Sequence, residues 1–164
     1  MVPGVLIIGY GNPLRGDDGI GFYAAKALDE QFRAEPDVEV MAAQELTPEM
    51  AEDIARSGVV LFVDAALDHA PGTIKRATVR PEPGPGGFSH SMTPSSLLSA
   101  AGELYGDTPE AMSLTLAGWS FEYGERLSKE AKLRMPELLR QAEAWVEEHR
   151  ARSSTAQLQG VRHR

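Results

Sequence analysis

Short apolar runs alternate with segments of helical periodicity along most of this chain, and this alternation constrains the fold more than any other feature. Continuous apolar runs occupy residues 5–8 and 59–63, and residues 38–42 and 112–117 are predicted to be two further strands. Runs of this length are typical of strands that are buried on both faces in a parallel sheet. In residues 73–79 one set of side chains (Thr73, Lys75, Ala77, Val79) alternates with another (Ile74, Arg76, Thr78), and this period of two predicts one more strand.

The segments between these runs carry helix signals. Apolar residues recur at helical spacing from Ile20 to Phe32, and Thr47 followed by Pro48 predicts a helix with Thr47 as its N-cap. Thr93 is the predicted cap of a helix to about residue 105, and Ser128 that of a long helix to about residue 148. The alternation predicts an α/β fold with one doubly wound, mostly parallel twisted sheet and helices on both faces.

Charge is divided unevenly between the body and the end of the chain. Of the 164 residues, 150–164 hold four arginines and no acid, whereas residues 1–149 hold 12 basic and 24 acidic side chains. We therefore predict one domain over residues 1–149 and a basic, disordered tail over 150–164. A body with this negative charge repels phosphate backbones and anionic lipids, which predicts that neither nucleic acid nor a membrane is a partner.

Cysteine is absent, which excludes disulfides, thiolate metal sites and cysteine nucleophiles. Its absence suits a reducing compartment. The amino-terminal residues lack a basic segment, and the apolar run at 5–8 is too short for a signal peptide or a membrane span. These features together predict a cytoplasmic protein.

Residues 9–21, which follow the first predicted strand, form a glycine-rich turn that resembles a phosphate-binding loop only in its spacing. Leu14 stands where a dinucleotide fingerprint needs its third glycine. Asp17 and Asp18 stand where a P-loop needs Lys and Ser or Thr. Because two carboxylates repel a phosphate, nucleotide binding is excluded at this turn on grounds of charge.

The same turn places two carboxylates at the start of a helix. Gly9, Gly11 and Asn12 are the predicted supporting residues of the turn, together with Asp17. One aspartate at this position suffices to cap the helix, where the helix dipole favours an anion. A second aspartate is left for contact with a metal ion or a substrate, and Asp18 is the candidate.

Two further candidates are expected at the same edge of the sheet, where ligands bind in open α/β folds. Asp64 directly follows the run at 59–63, and His90 follows a Gly/Pro-rich loop at 81–87. Each has a plain structural alternative, since Asp64 can cap a loop and His90 can be a surface histidine, as His69, His149 and His163 are expected to be. If Asp18, Asp64 and His90 converge, their oxygen and nitrogen atoms suit a divalent ion such as nickel or zinc.

Several of these segments together resemble the hydrogenase maturation endopeptidases. The similarity begins with residues 6–21, continues through 62–65 and through 89–91 around His90, and ends with a glycine-containing loop and helix start at 118–128. It extends in order over residues 4–148. Neither a Gly-x-Ser-x-Gly elbow nor a His-Glu-x-x-His helix is present, so serine-type and zincin-type peptidases are disfavoured.

The resemblance implies a specific activity and site. It implies an endopeptidase that removes a C-terminal extension from the large-subunit precursor of a NiFe hydrogenase after nickel has been inserted. The family's metal ligands correspond to Asp18, Asp64 and His90, which would also be the catalytic residues. The precursor is the expected partner and the source of the nickel, for which zinc or cadmium could substitute in vitro. Both an aspartic-type and a metal-assisted mechanism remain open.

Two other functions are compatible with the same fold. One is a non-catalytic nickel-handling or ligand-binding module, although the four scattered histidines do not form the histidine-rich tract typical of nickel carriers. The other is a peptidase or nucleoside-cleaving enzyme that shares only the architecture, because a fold does not determine a function.

Overall fold

The computed structural model describes residues 4–84 and 91–162, and in this part five strands and four helices follow one another with one short 3₁₀ turn. In chain order they are β1 (Val5–Tyr10), the 3₁₀ turn (Gly16–Gly19), α1 (Ile20–Gln31), β2 (Val38–Ala43), α2 (Met50–Ala55), β3 (Val59–Ala66), β4 (Ile74–Thr78), α3 (Pro94–Tyr105), β5 (Glu110–Ala117) and α4 (Lys129–Arg162). All five predicted strands are therefore present.

The strands form one sheet in the order β2-β1-β3-β5-β4. β1 pairs in parallel with β2 and β3, and β3 pairs in parallel with β5, whereas β4 runs antiparallel to β5 at one edge. The prediction of a mostly parallel sheet is confirmed. Since four strands point the same way, their carboxyl ends meet at one edge of the sheet.

Helices cover both faces of this sheet, as predicted. Alternate residues of β1 supply the two cores: Val5 and Ile7 belong to the core that contains α1 and α4, and Leu6 and Ile8 to the core that contains α2 and α3. All four side chains are almost fully buried. A strand with helices on both sides has no solvent face, and this explains why the apolar run at 5–8 is continuous rather than alternating.

Two of the three N-cap residues that the sequence predicts, Thr93 and Ser128, act as caps in the structure. Thr93 caps α3 through a reciprocal capping box with Ser96, and the Ser128 hydroxyl accepts a hydrogen bond from the Ala131 amide at the start of α4 (3.1 Å). The prediction of Thr47 as an N-cap is wrong, because α2 begins later and Glu49 is its cap residue. The backbone carbonyl of Thr47, rather than its hydroxyl, accepts the Met50 amide (3.1 Å).

The last helix is longer than the sequence predicts. α4 continues beyond residue 148 and ends at Arg162, within the segment predicted to be a disordered tail. Arg150, the first residue of that segment, is bound to the body: its guanidinium lies 2.7 Å from Glu35 and 2.9 Å from Asp37, which precede β2. These ion pairs hold α4 at Arg150 against the loop between α1 and β2, so the body of the protein extends at least to Arg150.

Candidate functional site

Asp64 lies at the carboxyl edge of the sheet, but within a strand rather than after it. The ladder between β1 and β3 ends at the pair Gly9 and Val63, whereas β3 continues beside β5 as far as Ala66. The expectation that the strand stops before Asp64 is therefore wrong, because pairing with β5 prolongs it. Asp64 is nevertheless the first residue of β3 beyond its ladder with β1.

Asp18 lies in the 3₁₀ turn and is held by the backbone of the glycine-rich turn. The Asn12 amide donates a hydrogen bond to Asp18 Oδ2 (2.8 Å), and the Asn12 side-chain oxygen accepts the Leu14 amide (2.9 Å). Gly11 has a φ of 146°, and a Cβ atom there would lie 1.9 Å from the Asp18 carbonyl oxygen. Gly11 and Asn12 therefore shape the turn that presents Asp18.

Gly9 has a different part in the same turn. A Cβ atom at Gly9 would lie 2.2 Å from the Gly21 carbonyl oxygen and 2.5 Å from the Ala25 side chain. The missing side chain thus allows the end of β1 to touch α1 directly. This close approach sets where the turn between them, and hence Asp18, can lie.

Asp18 and Asp64 line one cavity of about 200 Å³ at this edge. His90 lies outside the described residues, so the structure neither places it at the cavity nor away from it; its neighbour Ser91 is a lining residue. The remaining lining residues come from the end of β1 and the turn after it, from the loop after β2 and from the residue before the α3 cap: Tyr10, Gly11, Gln44, Glu45, Leu46 and Met92.

Sequence reasoning missed three polar side chains of this cavity: Tyr10, Gln44 and Glu45. Tyr10 is the last residue of β1, and Gln44 and Glu45 directly follow β2. The rule that selected Asp64, namely that ligands bind outside the carboxyl ends of the strands, places all three at this edge, but it does not distinguish a cavity-lining side chain from a solvated one.

The environment of Asp64 makes its carboxyl group suitable for proton transfer near neutral pH. Burial raises its pKa, hydrogen bonds from the Ala65 amide and the Tyr10 phenol lower it, and the nearby Asp18 raises it, with the result that the pKa is about 7. The Ala65 amide donates to Asp64 Oδ1 at 2.7 Å. Such a group can both accept and release a proton at physiological pH, as a general acid or base must.

Asp17 points away from the cavity and has a structural role. It is fully buried, and its carboxylate accepts four hydrogen bonds: from the amides of Trp119 (2.8 Å), Ser120 (3.1 Å) and Ser128 (2.8 Å), and from the Ser128 hydroxyl (2.8 Å). These donors lie in the loop after β5 and at the start of α4. α1 has Gly19 as its cap residue with no side-chain cap bond, so neither aspartate caps that helix.

The hydrogen bonds of Asp17 predict a specific dependence of stability on pH. Burial alone would raise the pKa of Asp17, but the bonds from Ser128, Trp119 and Ser120 outweigh it and place the pKa below its ordinary value of 3.8. A lowered pKa means that the stabilisation is complete above the unfolded-state value and is lost as the pH falls through the folded-state value. We expect the free energy of unfolding in urea to be higher for wild type than for Asp17→Asn. This difference should be constant above about pH 5 and should decrease below about pH 4. A difference in the free energy of unfolding that stays unchanged down to about pH 2.5 would contradict the lowered pKa of Asp17.

Two of the other three histidines, His69 and His149, are less exposed than the sequence predicts. His149 is buried and stacks on Trp145 with ring centroids 4.0 Å apart, and its Nδ1 lies 2.8 Å from the Trp145 carbonyl oxygen. His69 is half-buried, 3.5 Å from the exposed Asp68. His163 lies outside the described residues. The buried His149 belongs to the packing of α4 against the sheet.

Residues 4–84 and 91–162 contain neither a cluster of metal-ligating side chains nor a helix that could span a membrane. No cluster of three or more His, Cys, Asp or Glu side chains there is arranged to hold a metal ion. The proposed three-residue ligand set includes His90 and therefore stays a prediction. In the same residues, no helix combines the length and the apolar character that crossing a lipid bilayer requires.

Comparison with solved structures gives matches over most of the chain. The NiFe hydrogenase maturation protease HycI from Thermococcus kodakarensis KOD1 is 25% identical with a TM-score of 0.69, covering 84% of this chain and 88% of that chain. The hydrogenase maturating endopeptidase HybD from E. coli is 24% identical with a TM-score of 0.70, covering 88% and 92%. The hydrogenase 2 maturation peptidase from Thaumarchaeota archaeon SCGC_AB-539-E09 is 19% identical with a TM-score of 0.65, covering 87% and 97%.

No protein-family model matches the chain, and no curated protein matches it by sequence. The similarity therefore rests on the structure and on the motifs in the sequence. The resemblance to hydrogenase maturation endopeptidases that residues 6–21, 62–65 and 118–128 indicate is confirmed at the level of the fold.

Proposed function

We propose that this chain is an endopeptidase that removes the C-terminal extension of a nickel-loaded NiFe-hydrogenase large-subunit precursor. The observation that carries the proposal is that Asp18 and Asp64, which are 46 positions apart in the numbering, line one cavity at the carboxyl edge of the sheet. The fold in which they do so is also that of solved hydrogenase maturation proteases, one of them at 25% identity. The fold supports the activity, and the pair of carboxylates supplies groups that metal recognition and peptide hydrolysis require.

The proposed roles follow from the chemistry of the side chains. Asp18 and Asp64 contact the nickel ion that the precursor carries, and His90 is the proposed third contact. Carboxylate oxygens and an imidazole nitrogen are suitable ligands for nickel, and zinc or cadmium would bind the same donors in vitro. Because the nickel arrives with the precursor, it is part of the substrate.

Peptide hydrolysis also needs a proton acceptor and a proton donor. Water adds to the carbonyl carbon of the scissile bond and loses a proton, and the nitrogen of the leaving peptide gains one as the C–N bond breaks. Asp64 is the proposed carrier of this proton, because it lies in the cavity, the Ala65 amide holds its carboxylate, and its pKa is about 7. This role is needed in an aspartic-type mechanism and in a metal-assisted one.

The direct test is to incubate the purified protein with nickel-loaded precursor and to follow the mass of the precursor. We expect the loss of one defined C-terminal peptide. Nucleosides and unrelated peptides serve as control substrates and should stay intact. Binding of the precursor or of nickel without any loss of mass would instead support a non-catalytic nickel-handling module and would contradict the proposal.

Nickel-loaded precursor should be cleaved at least about 100-fold faster than nickel-free precursor, which corresponds to about 2.7 kcal/mol of activation free energy. The physical reason is that Asp18 and Asp64 repel each other across a small cavity, and a cation brought by the substrate relieves that repulsion. The measurement is the rate of peptide release from precursor made with and without nickel. Equal rates would show that the nickel is not recognised.

A further inference from the structure

Tyr10 ends β1 at a position from which its side chain reaches the cavity. Successive residues of a strand point to opposite faces, so Tyr10 shares a face with Leu6 and Ile8, toward α2 and α3. Its side chain is half-buried and lines the cavity together with Asp18 and Asp64. Tyr10 is thus the group that the sheet itself contributes next to both acids.

The strand register brings Tyr10 beside Asp64. The paired residues at the end of the ladder are Gly9 and Val63, and Tyr10 and Asp64 are the next residue on each strand. The two side chains lie side by side at the cavity, where the Tyr10 phenol lowers the pKa of Asp64 as a hydrogen-bonding partner does, and the charge of Asp18 raises the pKa of both groups. Two neighbouring strands of the sheet therefore determine the geometry of this pair.

Asp64 needs such a partner to keep one orientation. A carboxylate can turn about its side-chain bonds, and repulsion from Asp18 favours turning away from the cavity. The Ala65 amide holds Oδ1 from the next residue along the strand (2.7 Å), and the Tyr10 phenol lies on β1 in a position to donate to the same carboxylate. Two donors from different directions leave the carboxylate little freedom to rotate, as second partners do for metal-binding and catalytic groups.

We propose that Tyr10 is a positioning residue, whose hydroxyl holds the Asp64 carboxylate in the orientation that the precursor requires. This inference rests on the proposed function. The Tyr10 hydroxyl acts through Asp64 and does not itself touch the precursor. Its loss should therefore slow the reaction and leave the binding of the precursor nearly unchanged.

The test compares Tyr10→Phe with the matched variant Tyr23→Phe. Each variant removes one half-buried phenol hydroxyl and one hydrogen bond, since the Tyr23 hydroxyl donates to the Glu125 carbonyl (3.1 Å) away from the cavity. For Tyr10→Phe we expect kcat to fall about tenfold with KM changed by less than about twofold, because a hydrogen bond to a charged group is lost. For Tyr23→Phe we expect both constants to stay at their wild-type values. A wild-type kcat in Tyr10→Phe, or an equal fall in both variants, would overturn the inference.

A second measurement separates this inference from the proposed function. The ¹³C NMR signal of the Asp64 carboxyl carbon reports its hydrogen bonds without any substrate. We expect Tyr10→Phe to shift this signal and Tyr23→Phe to leave it in place. If wild type does not cleave the precursor, the proposed function fails and the catalytic part of the inference fails with it. If wild type cleaves and the Asp64 signal is unmoved in Tyr10→Phe, only the inference about Tyr10 fails.

Discussion

Asp17→Ala is expected to lower the free energy of unfolding by about 3 to 5 kcal/mol, which is the range for removing one partner from a buried charged network. The variant deletes a fully buried carboxylate and leaves the amides of Trp119, Ser120 and Ser128 without their acceptor. Each buried amide without an acceptor costs about 1 to 3 kcal/mol, so three together account for an effect of this size. The loop after β5 and the start of α4 would lose their connection to the turn that carries Asp18.

The measurement is urea unfolding at pH 7 followed by circular dichroism. The matched control is Asp29→Ala, which removes an exposed aspartate on α1 for which the structure gives no hydrogen bond in the described residues. Surface substitutions of this kind change stability by about 0.5 kcal/mol or less. Similar losses in the two variants would refute the assignment of Asp17 as the link between these segments.

The second large effect is expected for Asp64→Asn, which should lower kcat for cleavage of nickel-loaded precursor at least about 100-fold, the range for loss of a general acid or base. The amide has nearly the same shape and can still accept the Ala65 amide hydrogen, but it carries neither a negative charge nor a proton for transfer. Its fold should be intact. The free energy of unfolding at pH 8 should equal or exceed that of wild type, because burial makes the charged form of Asp64 unfavourable.

The control for this experiment is Asp107→Asn, which makes the same chemical change near the amino ends of the strands. Asp107 is exposed and precedes β5, whereas the cavity lies at the carboxyl ends of the strands. We expect wild-type kcat from this variant. If Asp64→Asn retained more than about a tenth of wild-type kcat while folded, Asp64 would have no essential part in the reaction.

Local signals in the sequence were sufficient for most of the secondary structure. The continuous run at 5–8 and the capping residue Thr93 are read from a few neighbouring positions, and both predictions are confirmed. Where the prediction failed, a distant partner decided the outcome. Pairing with β5 extends β3 past Asp64, and ion pairs with Glu35 and Asp37 hold Arg150, the first residue of the segment that was assigned to the tail.

The candidate site could be predicted in part because a general property of parallel sheets locates it. Asp64 directly follows one apolar run, and Asp18 lies in the turn after another, so both were expected at the ligand-binding edge of the sheet. Both residues line one cavity there. His90 stays a prediction. Tyr10, Gln44 and Glu45 were missed because nothing local distinguishes a cavity-lining tyrosine, glutamine or glutamate from a solvated one.

Asp17 and Asp18 show most clearly which properties follow from the sequence and which follow only from the tertiary structure. By itself the sequence determined the α/β alternation, the charge that excludes phosphate at the turn, and the presence of two adjacent carboxylates there, since all three depend on nearby residues. Only the tertiary structure decided that Asp17 is buried against Trp119, Ser120 and Ser128 while Asp18 faces the cavity with Asp64. The reason is that the partners of Asp17 lie more than 100 positions away, and a contact over that distance is created by folding rather than by local sequence.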